Sequence, residues 1–227
     1  MPAKPIDDAD LQARAQTVLS ASHPGSTLGP IQRLQGGTSS ITYRATLTVA
    51  GAASEEVVVK VAPAGLAPVR NRDVLRQARL QRALQSTGVP VPAVLAEHEG
   101  DPPDFPPFFV MRFVDGACVE PGHLQGDERL PAKEVRERML DAARILGVLH
   151  SLSPAELGLA EGEAAVSPAA ELDRWVQSLA ACDEDLQMAE DVRDRLLATV
   201  PPARRVALIP VTSGSGTPSR PETACWP

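Results

Sequence analysis

The period of the hydrophobic pattern changes along this chain, and that change most constrains its fold. In the first half, "ITYRATLTV" and "EEVVVKVAP" place apolar residues at alternate positions, which predicts two half-buried strands joined as a hairpin. From residue 132 onward, apolar residues recur every three or four positions, which predicts helices. The sequence therefore predicts an α+β fold with a β-rich front and a helical back. The predicted helices span residues 7–21, 72–86, 132–152, 168–181 and 184–199.

Charge and cysteine content exclude several classes of partner. The net charge of the 227 residues is −7, so we expect no nucleic-acid partner, because such a partner requires a basic surface. The three cysteines are widely spaced, which argues against a disulfide framework or a zinc site. No charged-plus-apolar leader and no membrane-length apolar run occurs. We therefore expect a cytoplasmic protein that does not interact with membranes.

A glycine-rich turn precedes the first long strand and is the first candidate binding element. The segment "LQGGTSSITYRATL" contains two glycines followed by three hydroxyl residues: Gly36, Gly37, Thr38, Ser39 and Ser40. Glycines without Cβ atoms let backbone N–H groups approach phosphate oxygens. The segment matches neither the P-loop pattern nor GxGxxG. The simpler alternative is a hairpin turn that uses glycine for its positive φ.

Lys60 lies in the middle of the apolar strand "VVVKVAP". A lysine on a central strand must lose water or find a counter-charge, so an anion is expected beside it. The alternative is an edge strand that leaves Lys60 in water and blocks aggregation. Taken with the preceding turn, Lys60 favours a nucleotide clamp in which the turn covers the phosphates and the ammonium binds their oxygens.

The helix over 72–86 is expected to supply the partner of this lysine. Asp73, Gln77, Leu80 and Leu84 follow helical spacing along one stripe. Gln77 would accept a hydrogen bond from Lys60, and Asp73 would bring a charge. The alternative is that both side chains lie in solvent at the edge of the stripe.

Five segments in this order resemble the aminoglycoside phosphotransferase family, in the branch related to the kinase-like domain of some acyl-CoA dehydrogenases. They are "IQRLQGGTSSITYRATL", "VVVKVAP", "RDVLRQARLQRALQSTGVPVPAVL", "PPFFVMRFVDG" and "LDAARILGVLHSL". The resemblance implies a two-lobed, protein-kinase-like fold that binds ATP and Mg²⁺ and phosphorylates a small-molecule hydroxyl. It implies a nucleotide-binding lobe over 1–110, a hinge over 111–117 and a partial helical lobe over 118–209.

The resemblance also assigns roles to residues. Residues 36–40 would cover the phosphates of ATP, and Lys60 would hold the α- and β-phosphates. Gln77 stands where the family usually has Glu. Four residues of the hinge strand would line the adenine, and the alternative for them is a plain buried strand: Met111, Arg112, Phe113 and Val114.

The end of the chain departs from the family pattern. Family members follow "VALI" with HGDxxxxN, in which the Asp orients the attacking hydroxyl and the Asn helps to hold Mg²⁺, and a later Asp completes the metal site. Here "VALI" is followed by "PVTSGSGTPSRPETACWP", in which neither Asp nor Asn occurs. Hence we assign no catalytic residue and no metal ligand.

We interpret residues 210–227 as the unfolded product of a reading-frame shift. The codons of residues 210–219, read from the third base of the Pro210 codon, can spell G-D-F-R-L-G-N-T-L. One restored base in that codon gives His, and hence the missing HGDxxxxN loop. The alternative is a natural disordered tail rich in Ser, Gly and Pro.

Two functions follow from this reading. The first is an ATP-dependent phosphotransferase that is inactive in this truncated form. The second is a non-catalytic nucleotide-binding or interaction module.

Overall fold

The computed structural model describes most of the chain. The described residues are 6–34, 39–101, 103–116, 130–159, 165–180, 187–202 and 206–208. The helices are α1 (Asp8–Ser22), α2 (Val74–Leu84), α3 (Ala132–Ser151), α4 (Pro168–Ala180) and α5 (Gln187–Thr199). The strands are β1 (Ser26–Leu28), β2 (Gln32–Arg33), β3 (Ile41–Val49), β4 (Glu55–Val61), β5 (Val94–His98) and β6 (Phe108–Arg112). The predicted order of a β-rich front and a helical back is confirmed.

Within the described residues, six strands form one antiparallel sheet. The strand order is β1-β3-β4-β6-β5, and β2 pairs with another part of β3. The predicted hairpin is confirmed, because β3 and β4 pair from Ile41↔Val61 to Leu47↔Glu55. β6 pairs with β4 on its other side. β4 is therefore an inner strand with a neighbour along each edge.

One face of the sheet packs against α1. Asp7 caps this helix by accepting a hydrogen bond from Ala9 N at 2.8 Å, which confirms the helix predicted over 7–21. The odd-numbered residues of β3 and β4 point to this face, because the side chains of a strand alternate between its two faces. Most of them are buried together with one stripe of α1. The buried set includes Leu11, Ala15, Leu19, Tyr43, Ala45, Leu47, Val57, Val59 and Val61.

The opposite face carries Lys60 and is called the Lys60 face. It is formed by Thr42, Arg44, Thr46, Glu56, Val58, Lys60, Phe109 and Met111, as the strand register requires. α2 covers part of it, since Val74 and Ala78 pack with Phe109 and Ala62 in a small buried cluster. The α1 face is thus a continuous apolar core, whereas the Lys60 face is mixed and partly polar.

The described residues divide into two compact units, and the division falls between Val148 and Leu149 within α3. In the second unit, α4 packs against α5. The apolar stripe predicted for α3 is not buried, since Met139 is 60% exposed and Leu146 is 38% exposed. Across the described ranges, every helix is too short or too polar to cross a membrane.

Candidate functional site

Lys60 lies near the end of β4, between two other strands. Its direct partners are Thr42 on β3 and Phe109 on β6. The alternative of a solvent-facing edge strand is therefore wrong. The sequence pattern alone left that alternative open, because an apolar run with one lysine does not tell which strands pair with it.

The side chain of Lys60 is half-buried, and its ammonium makes no ion pair within the described part of the chain. Burial lowers the pKa of Lys60, and no charged group opposes that effect. A buried cation is costly unless an anion or several acceptors compensate it. Among the described residues, no anion therefore compensates the positive charge of Lys60.

The glycine-rich segment lies in the sequence between β2 and β3. On the described residues that flank it, Arg33 pairs with Tyr43, and Leu34 N donates to Thr42 O at 2.9 Å. Gly36, Gly37 and Thr38 lie outside the described residues. Ser39 is half-buried and Ser40 is 7% exposed. The chain leaves this turn two residues before Thr42, which lies directly opposite Lys60.

The two residues predicted as partners of Lys60 serve other purposes in this structure. Asp73 caps α2, because its Oδ1 accepts from Arg76 N at 2.9 Å. The Gln77 amide donates to Asn71 O at 2.6 Å. Neither side chain makes a hydrogen bond to Lys60 here, so this pairing stays a prediction.

The apolar stripe predicted for α2 is only partly buried. Its member Leu84 is buried together with Val74, Ala78 and Gln81, whereas Asp73, Gln77 and Leu80 are half-buried. The buried polar residue of α2 is consequently Gln81, which is 3% exposed and has no hydrogen-bond partner for either amide atom among the described residues. Sequence analysis missed it because "RQARLQRAL" contains two glutamines one turn apart, and spacing alone does not set the rotation of a helix.

The four residues predicted to line the adenine begin in β6 and continue beyond its end. Met111 is half-buried and pairs with Val58, whereas Arg112 and Val114 are exposed. Phe113 N donates to Glu56 O at 2.9 Å. β6 ends at Arg112, so the strand is shorter than the predicted run to Gly116. Glu56 lies four positions before Lys60 along β4, a distance of about 13 Å along a strand.

A cluster of charged and aromatic side chains at this end of the sheet was not predicted. Arg44 Nε donates to Glu56 Oε2 at 2.7 Å, and the Arg44 guanidinium lies 4.4 Å from the centre of the Phe113 ring. The alternation of "TYRATL" and "EEVVVK" places Arg44 and Glu56 on exposed strand positions. Only the register brings them together with Phe113.

A metal site is not formed by the described residues, because they contain no group of three or more His, Cys, Asp or Glu side chains that could hold an ion. The Mg²⁺ that the family resemblance implies stays a prediction. The same face offers a cation at one end and apolar side chains, Val58 and Met111, toward the other. This arrangement suits an elongated ligand with an anionic end and a flat, less polar end.

Comparison with known proteins gives an independent result. A family model described as "Phosphotransferase enzyme family" (APH) matches residues 30–209. Among solved structures, a protein of Ralstonia eutropha JMP134 named as a candidate aminoglycoside phosphotransferase matches with a TM-score of 0.62 and 21% sequence identity. That match covers 86% of this chain and 54% of the other, so this chain spans about half the length of the protein it matches. No curated protein matches. The predicted fold class and family are confirmed.

Proposed function

Because this chain belongs to the phosphotransferase enzyme family, we propose that its Lys60 face binds the phosphates of ATP. The observation that carries the proposal is the desolvated ammonium of Lys60 on an inner strand, without an anionic partner in the described part of the chain. A triphosphate supplies the missing anion. Ser40, the last residue of the glycine-rich segment, lies two residues before Thr42, which pairs with Lys60.

The base of the nucleotide would lie toward the hinge. Val58, which is 3% exposed, and the half-buried Met111 face the same side as Lys60, so apolar side chains lie two residues along β4 from it. Base-binding surfaces of this kind combine apolar packing with a few backbone hydrogen bonds. The order from the apolar end to the ammonium matches the order of base and phosphates in ATP.

In the complete enzyme, we propose that the γ-phosphoryl group passes from ATP to the hydroxyl oxygen of a small molecule. The bond from phosphorus to the β,γ-bridging oxygen breaks, a new bond to the acceptor oxygen forms, and the hydroxyl proton leaves. The acceptor would be an aminoglycoside, a hydroxyacyl thioester or another hydroxyl metabolite. This chain's own part would be to hold the phosphates through Lys60 and the adjoining turn.

We further propose that these 227 residues bind ATP without transferring its phosphoryl group. No Asp or Asn follows Ile209, and phosphoryl transfer in kinases depends on such side chains to orient the hydroxyl and hold the metal. A frame shift at Pro210 explains this tail. Sequencing the gene beyond the codon for Pro227 tests that explanation, since metal-site residues in a neighbouring frame support it and their absence contradicts it.

A second candidate is a non-catalytic nucleotide-binding module. It is favoured by one observation: the residue at the usual Glu position is the neutral Gln77, and its amide is bound to Asn71 O. A natural tail after Ile209 fits this candidate as well. Phosphoryl transfer by a protein translated from the repaired reading frame would exclude it.

The binding proposal is tested by titrating the purified chain with ATP in a calorimeter. The wild type and Lys133→Met are expected to bind alike, because Lys133 is 85% exposed on α3 and pairs only weakly with Glu137 at 3.8 Å. Lys60→Met is expected to reduce affinity at least tenfold, the effect of removing one charge-assisted contact. Equal affinity of Lys60→Met and wild type would refute the proposal. Turnover by the unmodified chain near 1 s⁻¹, a rate on the order of ordinary kinases, would refute the claim of inactivity.

A further inference from the structure

Through its carboxylate and its backbone carbonyl, Glu56 joins β4 to β3 and to the residue beyond β6, at the end of the Lys60 face that lies away from Lys60. Its Oε2 accepts from Arg44 Nε at 2.7 Å, and its Oε1 accepts from Thr46 Oγ1 at 2.7 Å. Both donors lie on β3. The backbone carbonyl of the same residue accepts from Phe113 N at 2.9 Å. Glu56 therefore ties β3 to the first residue beyond β6.

Both side-chain bonds favour the ionised form of the carboxylate. The hydroxyl of Thr46 and then the guanidinium of Arg44 lower the pKa of Glu56. At neutral pH the carboxylate is charged, and it holds the guanidinium in a fixed direction. A guanidinium fixed by one carboxylate has a planar face available for a second contact.

That second contact is with the ring of Phe113. The Arg44 guanidinium lies over the ring at 4.4 Å from its centre, within the range of a cation–π interaction. Arg44 thus restrains the Phe113 side chain, while Glu56 restrains its backbone. Glu56 is on β4 and Arg44 is on the neighbouring strand β3. The position of Phe113 is therefore restrained by two residues of the sheet.

The strand register places this cluster in line with the proposed nucleotide. Three successive rows cross the Lys60 face: Thr42 with Lys60, Arg44 with Val58, and Thr46 with Glu56. Lys60 marks the phosphate end. The Arg44–Phe113 contact lies at the other end, beside Val58 and Met111, where the base would lie.

We propose that Arg44 is a positioning residue for the base of the nucleotide, acting through the ring of Phe113. This inference rests on the proposed nucleotide site and deepens it. The ring forms the wall against which the base packs, and Arg44 holds that ring before the nucleotide arrives. Preorganisation of this kind improves affinity because less side-chain freedom is lost on binding.

The experiment compares two ligands that share phosphates but differ in the base: ATP and inorganic tripolyphosphate. Calorimetric titrations are made with the wild type, Arg44→Met and Lys60→Met. Arg14→Met is the matched control, because Arg14 also stacks on a phenylalanine, Phe105 at 4.3 Å, and pairs with Asp10, but it lies on α1, which packs on the other face of the sheet.

Arg44→Met is expected to weaken ATP binding by about three- to tenfold and to leave tripolyphosphate binding unchanged. Lys60→Met is expected to weaken the binding of both ligands. Arg14→Met is expected to leave the binding of both unchanged. Phe113→Leu reproduces the loss, Phe113→Tyr retains affinity, and the double variant Arg44→Met/Phe113→Leu is no worse than either single variant, since the two residues act as one unit.

The outcomes separate this inference from the site on which it rests. If ATP binds, Lys60→Met weakens it and Arg44→Met does not, the role of Arg44 is overturned and the nucleotide site stands. Equal weakening of ATP and tripolyphosphate by Arg44→Met indicates a general structural effect and also overturns the role. If the wild type binds neither ligand, the site and the inference both fall.

Discussion

The phenol of Tyr43 on β3 donates a hydrogen bond to Asp8 Oδ1 in the first turn of α1 at 2.8 Å. Tyr43 is 1% exposed, so this bond fixes the start of α1 against the interior of the sheet. The pKa of Tyr43 is raised to about 12, mainly by burial and to a smaller extent by the hydrogen bond to Asp8.

Tyr43→Phe tests this contact through the pH dependence of stability. The folded state keeps the phenol protonated above pH 10, where the unfolded chain loses the proton, so the stabilising effect of Tyr43 is complete below about pH 10 and is lost as the pH rises toward 12. We expect Tyr43→Phe to lower the free energy of unfolding by about 1 kcal/mol at neutral pH. Denaturant titrations at a series of pH values should show the gap between the two proteins shrinking from pH 10 upward; a constant gap contradicts the assignment.

Lys60→Met is expected to raise the melting temperature of the nucleotide-free protein by a few degrees. Burial lowers the pKa of Lys60. Below that pKa the ammonium is charged in both states, but it is partly removed from water only in the folded state, and this destabilises the folded protein. The cost disappears as the pH rises through the lowered pKa toward the ordinary value of about 10.5. The stability difference between variant and wild type is therefore greatest at neutral pH and declines in alkali. Binding sites commonly reduce the stability of the free protein in this way. A lower melting temperature for Lys60→Met than for the wild type at pH 7 would contradict this prediction.

Gln81→Leu is expected to stabilise the protein by about 1–3 kcal/mol, because a buried amide without partners loses its solvation and gains nothing in return. Gln77→Leu, one turn earlier on α2, is the matched comparison. It removes the bond to Asn71 O and should cost about 1 kcal/mol. Urea unfolding of both variants measures the two effects, and a destabilised Gln81→Leu would show that the amide has a partner in solution.

Gly100→Ala is expected to destabilise the β5–β6 connection severely. A Cβ at this position would meet Phe105 O at 2.6 Å and Pro107 N at 2.7 Å, with φ at +79°. Gly51 has nearly the same φ, +80°, but no atom within 4 Å of a new Cβ. Gly51→Ala should therefore cost only about 1–2 kcal/mol from backbone strain, and Gly100→Ala clearly more. Equal melting temperatures for the two variants would show that the turn at Gly100 gives way easily.

The sequence predicted the elements well because their signals are local. Alternation in "ITYRATLTV" predicts β3, and either Asp7 or Asp8 could cap α1; the structure shows that Asp7 does. β1 and β2 were not identified as separate strands, because two or three residues carry too little periodicity to be recognised. The apolar residues of α3, such as Met139, followed helical spacing correctly, although the structure leaves them exposed.

For the candidate site, the sequence by itself determined that one lysine lies within a valine-rich strand after a glycine-rich turn. The tertiary structure decided that this strand is an inner one, that Gln81 rather than Gln77 faces the core, and that Arg44 meets Phe113. Each of these depends on which strands pair, in which register, and on how far a helix is rotated. One residue along a helix turns its face by about 100°, and one residue along a strand reverses it. Packing between elements that are distant in sequence determines the strand register and the helix rotation. The local spacing of residues does not contain that information.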